Sequence, residues 1–183
     1  MFAVTPRLLL RPGWPEDADA LFAAINDQAI VRDIAKAPWP YRLDDARQFL
    51  SLPTDPASPR WLIFTRTDGA PQMAGCIGLE AHQNGDVELG YWIGRPHWGR
   101  GYATEAGRAA LENARTLGHG RLVASHFVDN PASGTVLRKL GFEPTGQTIG
   151  LFSRGRKREV QAAEFSCLLQ EEQENEAMRP LAA

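Results

Sequence analysis

The segment E-L-G-Y-W-I-G-R-P-H-W-G-R-G-Y-A-T-E-A, Glu88 to Ala106, constrains this chain more than any other. It reads as a strand over 87–93, then a loop rich in Gly and Arg, then a helix that starts near Gly101 and stops at Gly118. The first turn of such a helix carries unpaired N–H groups at the positive end of its dipole, which together suit a phosphate. Gly99 and Gly101 would let the backbone approach an anion with no Cβ in the way. Behind them the helix stripe is small (Ala103, Ala106, Gly107, Ala110 and Ala114), so the helix can lie close to the sheet and to a ligand.

The usual phosphate motifs do not account for this loop. A dinucleotide fingerprint G-x-G-x-x-G would need glycine at Thr104, no G-K-S or G-K-T occurs, and no serine sits in a G-x-S-x-G elbow. Read from its glycines alone, the loop is also compatible with a plain strand-to-helix connector.

The rest of the chain supplies the frame. Residues 4–12 read as a strand, and Pro15 opens a helix with Ala18, Leu21, Phe22 and Ile25 as its apolar stripe. A-P-W-P-Y at 37–41 is a loop, 44–52 a short helix carrying Ala46, Phe49 and Leu50 inward, and 53–59 a proline-rich connector. Strands over 61–66, 73–81 and 87–93, separated by turn-rich T-D-G-A-P-Q and H-Q-N-G-D, form an antiparallel meander. Gly75 and Gly78 inside the second of these point to a bulge or a close backbone approach. Beyond Gly118 come a strand at 122–127, a helix at 132–140 ending at Gly141, and strand-like stretches at 142–152 and 158–169.

Length then bounds the organisation: 183 residues suit one domain, placed at 1–169, with 170–183 as an acidic tail of four glutamates against one arginine. A net charge of −2 disfavours a nucleic-acid partner, which would call for a strongly basic chain. The longest run free of Asp, Glu, Lys and Arg is 11 residues, 69–79, and its glycines and proline cannot span a bilayer, so no membrane association is expected. Residues 1–12 show no apolar leader with a cleavage site, and Cys76 and Cys167 read as buried free thiols, which together place the protein in the cytoplasm. No Cys-x-x-Cys pair and no histidine pair at ligand spacing occurs, so no metal is expected.

W-G-R-G-Y-A-T-E-A resembles the pyrophosphate loop of the GNAT acetyltransferase superfamily, whose pattern is Gln/Arg-x-x-Gly-x-Gly/Ala. Gly101 and Ala103 match, and Trp98 replaces the leading Gln/Arg, as is usual in the RimJ/RimL-like branch that acetylates ribosomal-protein N-termini. T-P-R-L-L-L-R-P at 5–12 is similar to that branch's first strand. N-P-A-S-G-T-V-L-R-K-L-G-F at 130–142 is similar to its Asn-x-x-Ser…Lys-Leu-Gly-Phe block. The likeness covers about residues 5–169.

That resemblance implies an α+β fold with a central, mostly antiparallel mixed sheet of six or seven strands flanked by about four helices. The strands at 87–93 and 122–127 would splay apart to admit the pantetheine arm of coenzyme A, which adds to the edge of the first. The pyrophosphate would meet N–H groups from Gly99, Arg100, Gly101, Tyr102, Ala103 and Thr104, with Trp98 in the same loop. Backbone N–H groups at Trp92 and Ile93 are the implied oxyanion donors.

Acyl transfer to an amine needs a neutral nucleophile, a stabilised oxyanion and a proton for the leaving thiolate. By the resemblance, Glu88 takes the amine proton; as a plain strand residue it would be solvated or salt-bridged. Ser133 is the implied partner of the thiolate and equally a helix N-cap, with Tyr91 and Tyr102 as alternative acids. Asn130 suits the amides of pantetheine, or caps the helix itself. Arg100, Arg138 and Lys139 suit the 3′-phosphate of the coenzyme, or form a solvated face. His97 and His126 flank the cleft as catalytic or structural residues. Trp14, Trp39 and Tyr41, with Tyr91 and Glu88, are candidates for acceptor contacts, or for core packing.

The expected activity is therefore acetyl transfer from acetyl-CoA to a primary amine, either a protein N-terminus or a small molecule, in a ternary complex with no acyl-enzyme. A homodimer is carried from the habit of relatives alone. The alternatives are an inactive acyl-CoA-binding or sensing module of the same fold and a nucleotide-binding protein that seats another anion at the same helix.

Overall fold

Strands and helices to residue 51, a three-strand meander to residue 93 and further helices and strands after it assemble into one eight-stranded sheet in a computed structural model describing residues 1–169 except Asp68 and Gln83. The acidic tail lies outside the described residues. The strands are β1 (Ala3–Val4), β2 (Leu8–Arg11), β3 (Arg60–Thr65), β4 (Met73–Ala81), β5 (Val87–Ile93), β6 (Arg121–Phe127), β7 (Glu143–Ser153) and β8 (Arg158–Leu168). The helices are α1 (Ala18–Ile25), entered through a 3-10 turn at Pro15–Asp17, α2 (Gln28–Val31), α3 (Leu43–Ser51), α4 (Tyr102–Thr116) and α5 (Pro131–Lys139). In space the strands run β1-β2-β3-β4-β5-β6-β8-β7. Every neighbouring pair is antiparallel except β5 and β6.

Eight strands replace the expected six or seven, because the first apolar run folds back on itself. Pro6 cannot donate to a ladder, and Thr5 Oγ1 accepts from Leu8 N at 2.9 Å, so Ala3–Val4 turns and pairs with Leu9 and Leu10. Five helices replace four because Asp27 accepts a hydrogen bond from Ala29 N at 2.8 Å and caps the short α2.

Alternation sorts the core onto two faces of the sheet. Leu8, Leu10, Trp61, Ile63, Ile77 and Leu89 pack against Ala106 and Ala110 of α4 and Leu137 of α5. Leu62, Phe64 and Cys76 point the other way, against Leu21 and Ile25 of α1, Ala46 of α3 and Tyr41. The small stripe on α4 is a packing requirement: a Cβ at Gly107 would lie 2.5 Å from Leu140 Cδ1. The glycine reading of β4 also holds, since a Cβ at Gly75 would lie 2.2 Å from the Trp92 carbonyl oxygen.

β5 and β6 are the pair that positions the site. Their parallel pairing is confined, among the described residues, to Glu88 opposite Val123, so the rest of β5 presents an open edge toward β6.

Candidate active site

At the end of β5 the chain turns through Arg95–His97 and reaches α4 by way of Gly99 and Gly101, with φ of +72° and +76°. An added Cβ would meet nothing within 4 Å at Gly99 and only Arg7 Nη2, at 3.6 Å, at Gly101. Left-handed backbone by itself calls for glycine at both positions. The first bond into the helix runs from Glu105 N to Gly101 O at 3.0 Å. No hydrogen bond reaches the N–H groups of residues 99–104 from the described residues, so a row of donors stands at the positive end of a 15-residue helix.

Neighbouring elements hold that row in place. Glu105 accepts from Thr5 Oγ1 at 2.6 Å, Arg7 N at 2.8 Å and Arg7 Nε at 2.6 Å. Arg7 Nη1 donates to the Arg100 carbonyl at 2.9 Å, and its guanidinium lies 4.9 Å from the centre of the Tyr102 ring. Burial pushes the Glu105 carboxyl up, but the bonds from Thr5 and Arg7 outweigh it and leave the pKa below its ordinary value. Trp98 Nε1 donates to the Ile93 carbonyl at 2.6 Å and ties the loop to the strand end.

The edge of β5 can be read atom by atom. Gly94 N donates to Ala74 O at 2.8 Å and His82 N to Asp86 O at 2.8 Å, which fixes the phase of the β4–β5 ladder. The backbone of Glu88, Gly90 and Trp92 therefore points to β4, and that of Leu89, Tyr91 and Ile93 to the open edge. Ile93 N–H therefore faces the open edge, whereas the alternation turns Trp92 N–H into the ladder with β4.

The same alternation separates the two proposed catalytic positions. Glu88 faces the α1–α3 side, where its Oε1 accepts from Ser125 Oγ at 2.9 Å and its Oε2 lies 3.1 Å from His82 Nε2. Its surroundings are polar, with the side chain 26% exposed. Tyr91 faces the α4–α5 side, with its hydroxyl 2.8 Å from Ser133 Oγ and 3.1 Å from the Ser133 carbonyl. Burial pushes the Tyr91 pKa up to about 12, even though the Ser133 bond opposes it. The gap between β5 and β6 lies between these groups, so molecules entering from opposite faces can meet there.

Ser133 is not the helix cap. Asn130 is: its Oδ1 accepts from Ser133 N at 3.3 Å, which leaves the serine hydroxyl for Tyr91. Sequence reading missed Ser125 and His82, since strand pairing and the hairpin turn alone bring them to Glu88. Arg100 and Lys139 are exposed, as is Arg138, whose guanidinium lies 5.4 Å from the Phe165 ring centre.

Several candidates turn out to be structural. His126 packs beneath α5, where a Cβ at Gly134 would lie 2.6 Å from its Nε2. His97 is buried, and burial lowers its pKa, with the nearby Arg100 charge acting the same way. The indole of Trp14 stacks on the Arg11 guanidinium at 4.0 Å. Tyr41 is core, with burial first and Asp45 second pushing its pKa up to about 12, so its role as an acceptor contact is withdrawn. Trp39 does line a cavity, with Gln28, Ala29, Arg32 and the β7–β8 turn. Both cysteines are free and buried, and burial pushes the Cys76 thiol up to about 12, which keeps it protonated and inert.

A sheet opened at one parallel pair, beside a helix N-terminus whose first N–H groups have no partner among the described residues, defines an α+β protein with a candidate anion site. Comparison with known proteins agrees. Residues 7–143 match the family described as an acetyltransferase (GNAT) domain. The uncharacterized N-acetyltransferase YoaA of Bacillus subtilis is 30% identical over 153 residues, covering 78% of this chain and 82% of that protein. The crystal structure of a GNAT-family acetyltransferase from Bacillus anthracis superimposes with a TM-score of 0.79 at 20% identity, over 93% of this chain and 100% of that one. RimL, a ribosomal L7/L12 α-N-protein acetyltransferase solved with coenzyme A, does so with a TM-score of 0.74 at 19% identity, over 92% and 98%. The chain belongs to the GNAT acetyltransferase family. No helix among the described residues is long and apolar enough to cross a membrane.

Proposed function

We propose that this acetyltransferase moves the acetyl group of acetyl-CoA to a primary amine by direct attack within a ternary complex, in the manner of the RimJ/RimL-like branch. The observation that carries this reading is the opening between β5 and β6, with Glu88 on one face and the Tyr91–Ser133 pair on the other. Acetyl-CoA supplies an activated thioester carbonyl. The N–H groups of residues 99–104 hold its pyrophosphate, Tyr91 and Ile93 pair with its arm along the open edge, and Ile93 N–H faces the carbonyl oxygen. Arg100 and Arg138 are the cations within reach of its remaining phosphate, and Asn130 presents its amide nitrogen beside the arm.

Glu88 receives the proton of the attacking amine, directly or through water, while Ser125 and His82 hold the carboxylate in one rotamer. The C–N bond forms as the C–S bond breaks, and the sulfur ends as a thiol with one proton. An ordinary thiol has a pKa near ~8.5, well below the value of about 12 at Tyr91, so a full transfer from the tyrosine would run uphill. The Tyr91–Ser133 pair therefore stabilises the thiolate by hydrogen bonding, and solvent completes the protonation. His82, 42% exposed, offers Glu88 a route for handing its proton to water.

Thiol release from acetyl-CoA, followed over a panel of amines and N-terminal peptides, tests this reading. Glu88→Gln is expected to lower kcat by about 10²-fold or more while leaving acetyl-CoA affinity in place. Tyr91→Phe combined with Ser133→Ala should lower kcat by about tenfold. Full turnover in Glu88→Gln would remove the base assignment, and silence of the wild type with every amine would favour a sensing module.

A further inference from the structure

On the Glu88 face lies a cavity of about 490 Å³ between α2, the loop carrying Trp39 and the β7–β8 turn. Three of its lining residues are arginines, Arg32, Arg156 and Arg158, and none is acidic. Two carboxylates reach these arginines from behind. Arg156 is consumed by them: Nη1 and Nη2 donate to Asp129 at 2.7 and 3.0 Å, Nη2 to Asp33 at 3.0 Å, and Nε to the Arg32 carbonyl at 2.7 Å. Arg32 shares Asp129 at 2.8 Å and stays 52% exposed. Arg158 has no carboxylate partner among the described residues, so three guanidiniums face two carboxylates and one positive charge is in excess.

The opposite end of the site has the opposite sign. The Arg156 guanidinium lies 4.8 Å from the Phe127 ring centre, and Phe127 shares a face of β6 with Ser125, the donor to Glu88. Two strand positions separate them, about 7 Å. Beside Glu88, its cross-strand partner Glu80 is neutralised by Lys36, so Glu88 is the carboxylate that faces this end. A molecule lying along this face would thus meet cationic guanidiniums at one end and a carboxylate at the other. A simple cationic amine is repelled from the first end, whereas a zwitterion matches both.

We infer that this cavity takes the acetyl acceptor, and that the acceptor is a small amine bearing an anionic group, carboxylate or phosphate. Arg158 and Arg32 engage the anion with the planar fork that suits both groups, Gln28 adds an amide donor, and Trp39 forms the flat wall. The volume suits a small molecule, within the ~300–1,000 Å³ range of ligand pockets. The inference rests on the acetyl-transfer reading above and deepens it by assigning the acceptor class.

Matched pairs test it: thiol release with 4-aminobutyrate against 4-aminobutanamide for the carboxylate, phosphoethanolamine against ethanolamine for the phosphate, and an acidic hexapeptide with a free N-terminus as the macromolecular arm. In at least one pair the anionic member should show a kcat/KM roughly tenfold above its partner without the anionic group. Arg158→Gln should erase that preference, chiefly through KM. Quenching of tryptophan fluorescence by the preferred anionic amine should be lost in Trp39→Phe and weakened in Arg158→Gln, which reads binding without turnover.

Ratios near one in both pairs, a preference that survives Arg158→Gln, no turnover with either anionic amine, or a peptide outpacing both small acids each overturn the inference. Failure of the proton-transfer reading is a separate result, because it shows in the kcat of Glu88→Gln and leaves the anion preference as it stands.

Discussion

Arg11 shows how a residue can carry a meaning that no local pattern records. In the sequence it is the polar partner of an alternating strand, yet its guanidinium is held by both oxygens of Asp17 at 2.7 Å and lies between Trp14 at 4.0 Å and Phe64 at 4.2 Å. Arg11 and Asp17 side chains are only 12% and 10% exposed, so removing one partner leaves a desolvated charge. Asp17→Asn is expected to destabilise the fold by about 3 kcal/mol, seen as a lower urea midpoint at unchanged slope. The same distinction explains which catalytic candidates were legible. Glu88 could be picked out because its strand leads into the phosphate loop, whereas its anchors Ser125 and His82 depend on strand register. Trp14 and Tyr41 looked alike to Trp39 in sequence, all being aromatic residues in loops, and packing alone separates them.

At the scale of elements, local chemistry was more reliable. Gly101 and Gly118 were visible as the ends of α4, and the ranges of β4 and β5 follow directly from alternation between turn-rich segments. The extra elements escaped for opposite reasons. β1 is two residues long, too short for a period, and α2 is a single capped turn whose apolar residues matter only once packed. Gly75 gives the sharpest test of element packing. An Ala Cβ there would meet the Trp92 carbonyl oxygen at 2.2 Å and Ile93 Cα at 3.0 Å, both backbone atoms of β5 that cannot swing aside. Gly75→Ala should cost about 3 kcal/mol of stability and, by shifting the edge proposed to hold the coenzyme arm, raise the KM for acetyl-CoA. Thermal unfolding and initial-rate kinetics check the two halves independently.

For the whole molecule, ion pairs between distant elements tie the ends of the sheet to the helices. Glu105 joins α4 to the β1–β2 turn, Asp17 joins the α1 entry to β2, and Asp129 joins the α5 entry to Arg156 in the β7–β8 turn and Arg32 beyond α2. Hydrogen bonds from Arg156 lower the Asp129 pKa to about 2, and Glu105 and Asp17 are also lowered against the pull of burial. A carboxyl lowered on folding contributes stability that is complete above its unfolded value, near ~4, and fades as pH falls through the folded one. Asp33, raised by burial despite Arg156 and Arg32, acts in the opposite sense, but it stands against three. Stability should therefore sag modestly as pH falls through about 6.5, where buried His97 resists protonation, and fall steeply between about pH 4 and 2, as followed by circular dichroism. The sequence alone determined the family, the strand–loop–helix unit and the glycines of its turn, because these depend on glycine conformation, helix polarity and contiguous spacing. Only the tertiary structure decided that Glu88 and Tyr91 face opposite sides of one strand, that Trp92 turns its N–H into the ladder, and that an arginine-lined cavity shares the Glu88 face. Each of those follows from strand pairing, and pairing brings together residues whose separation along the chain carries no local signal.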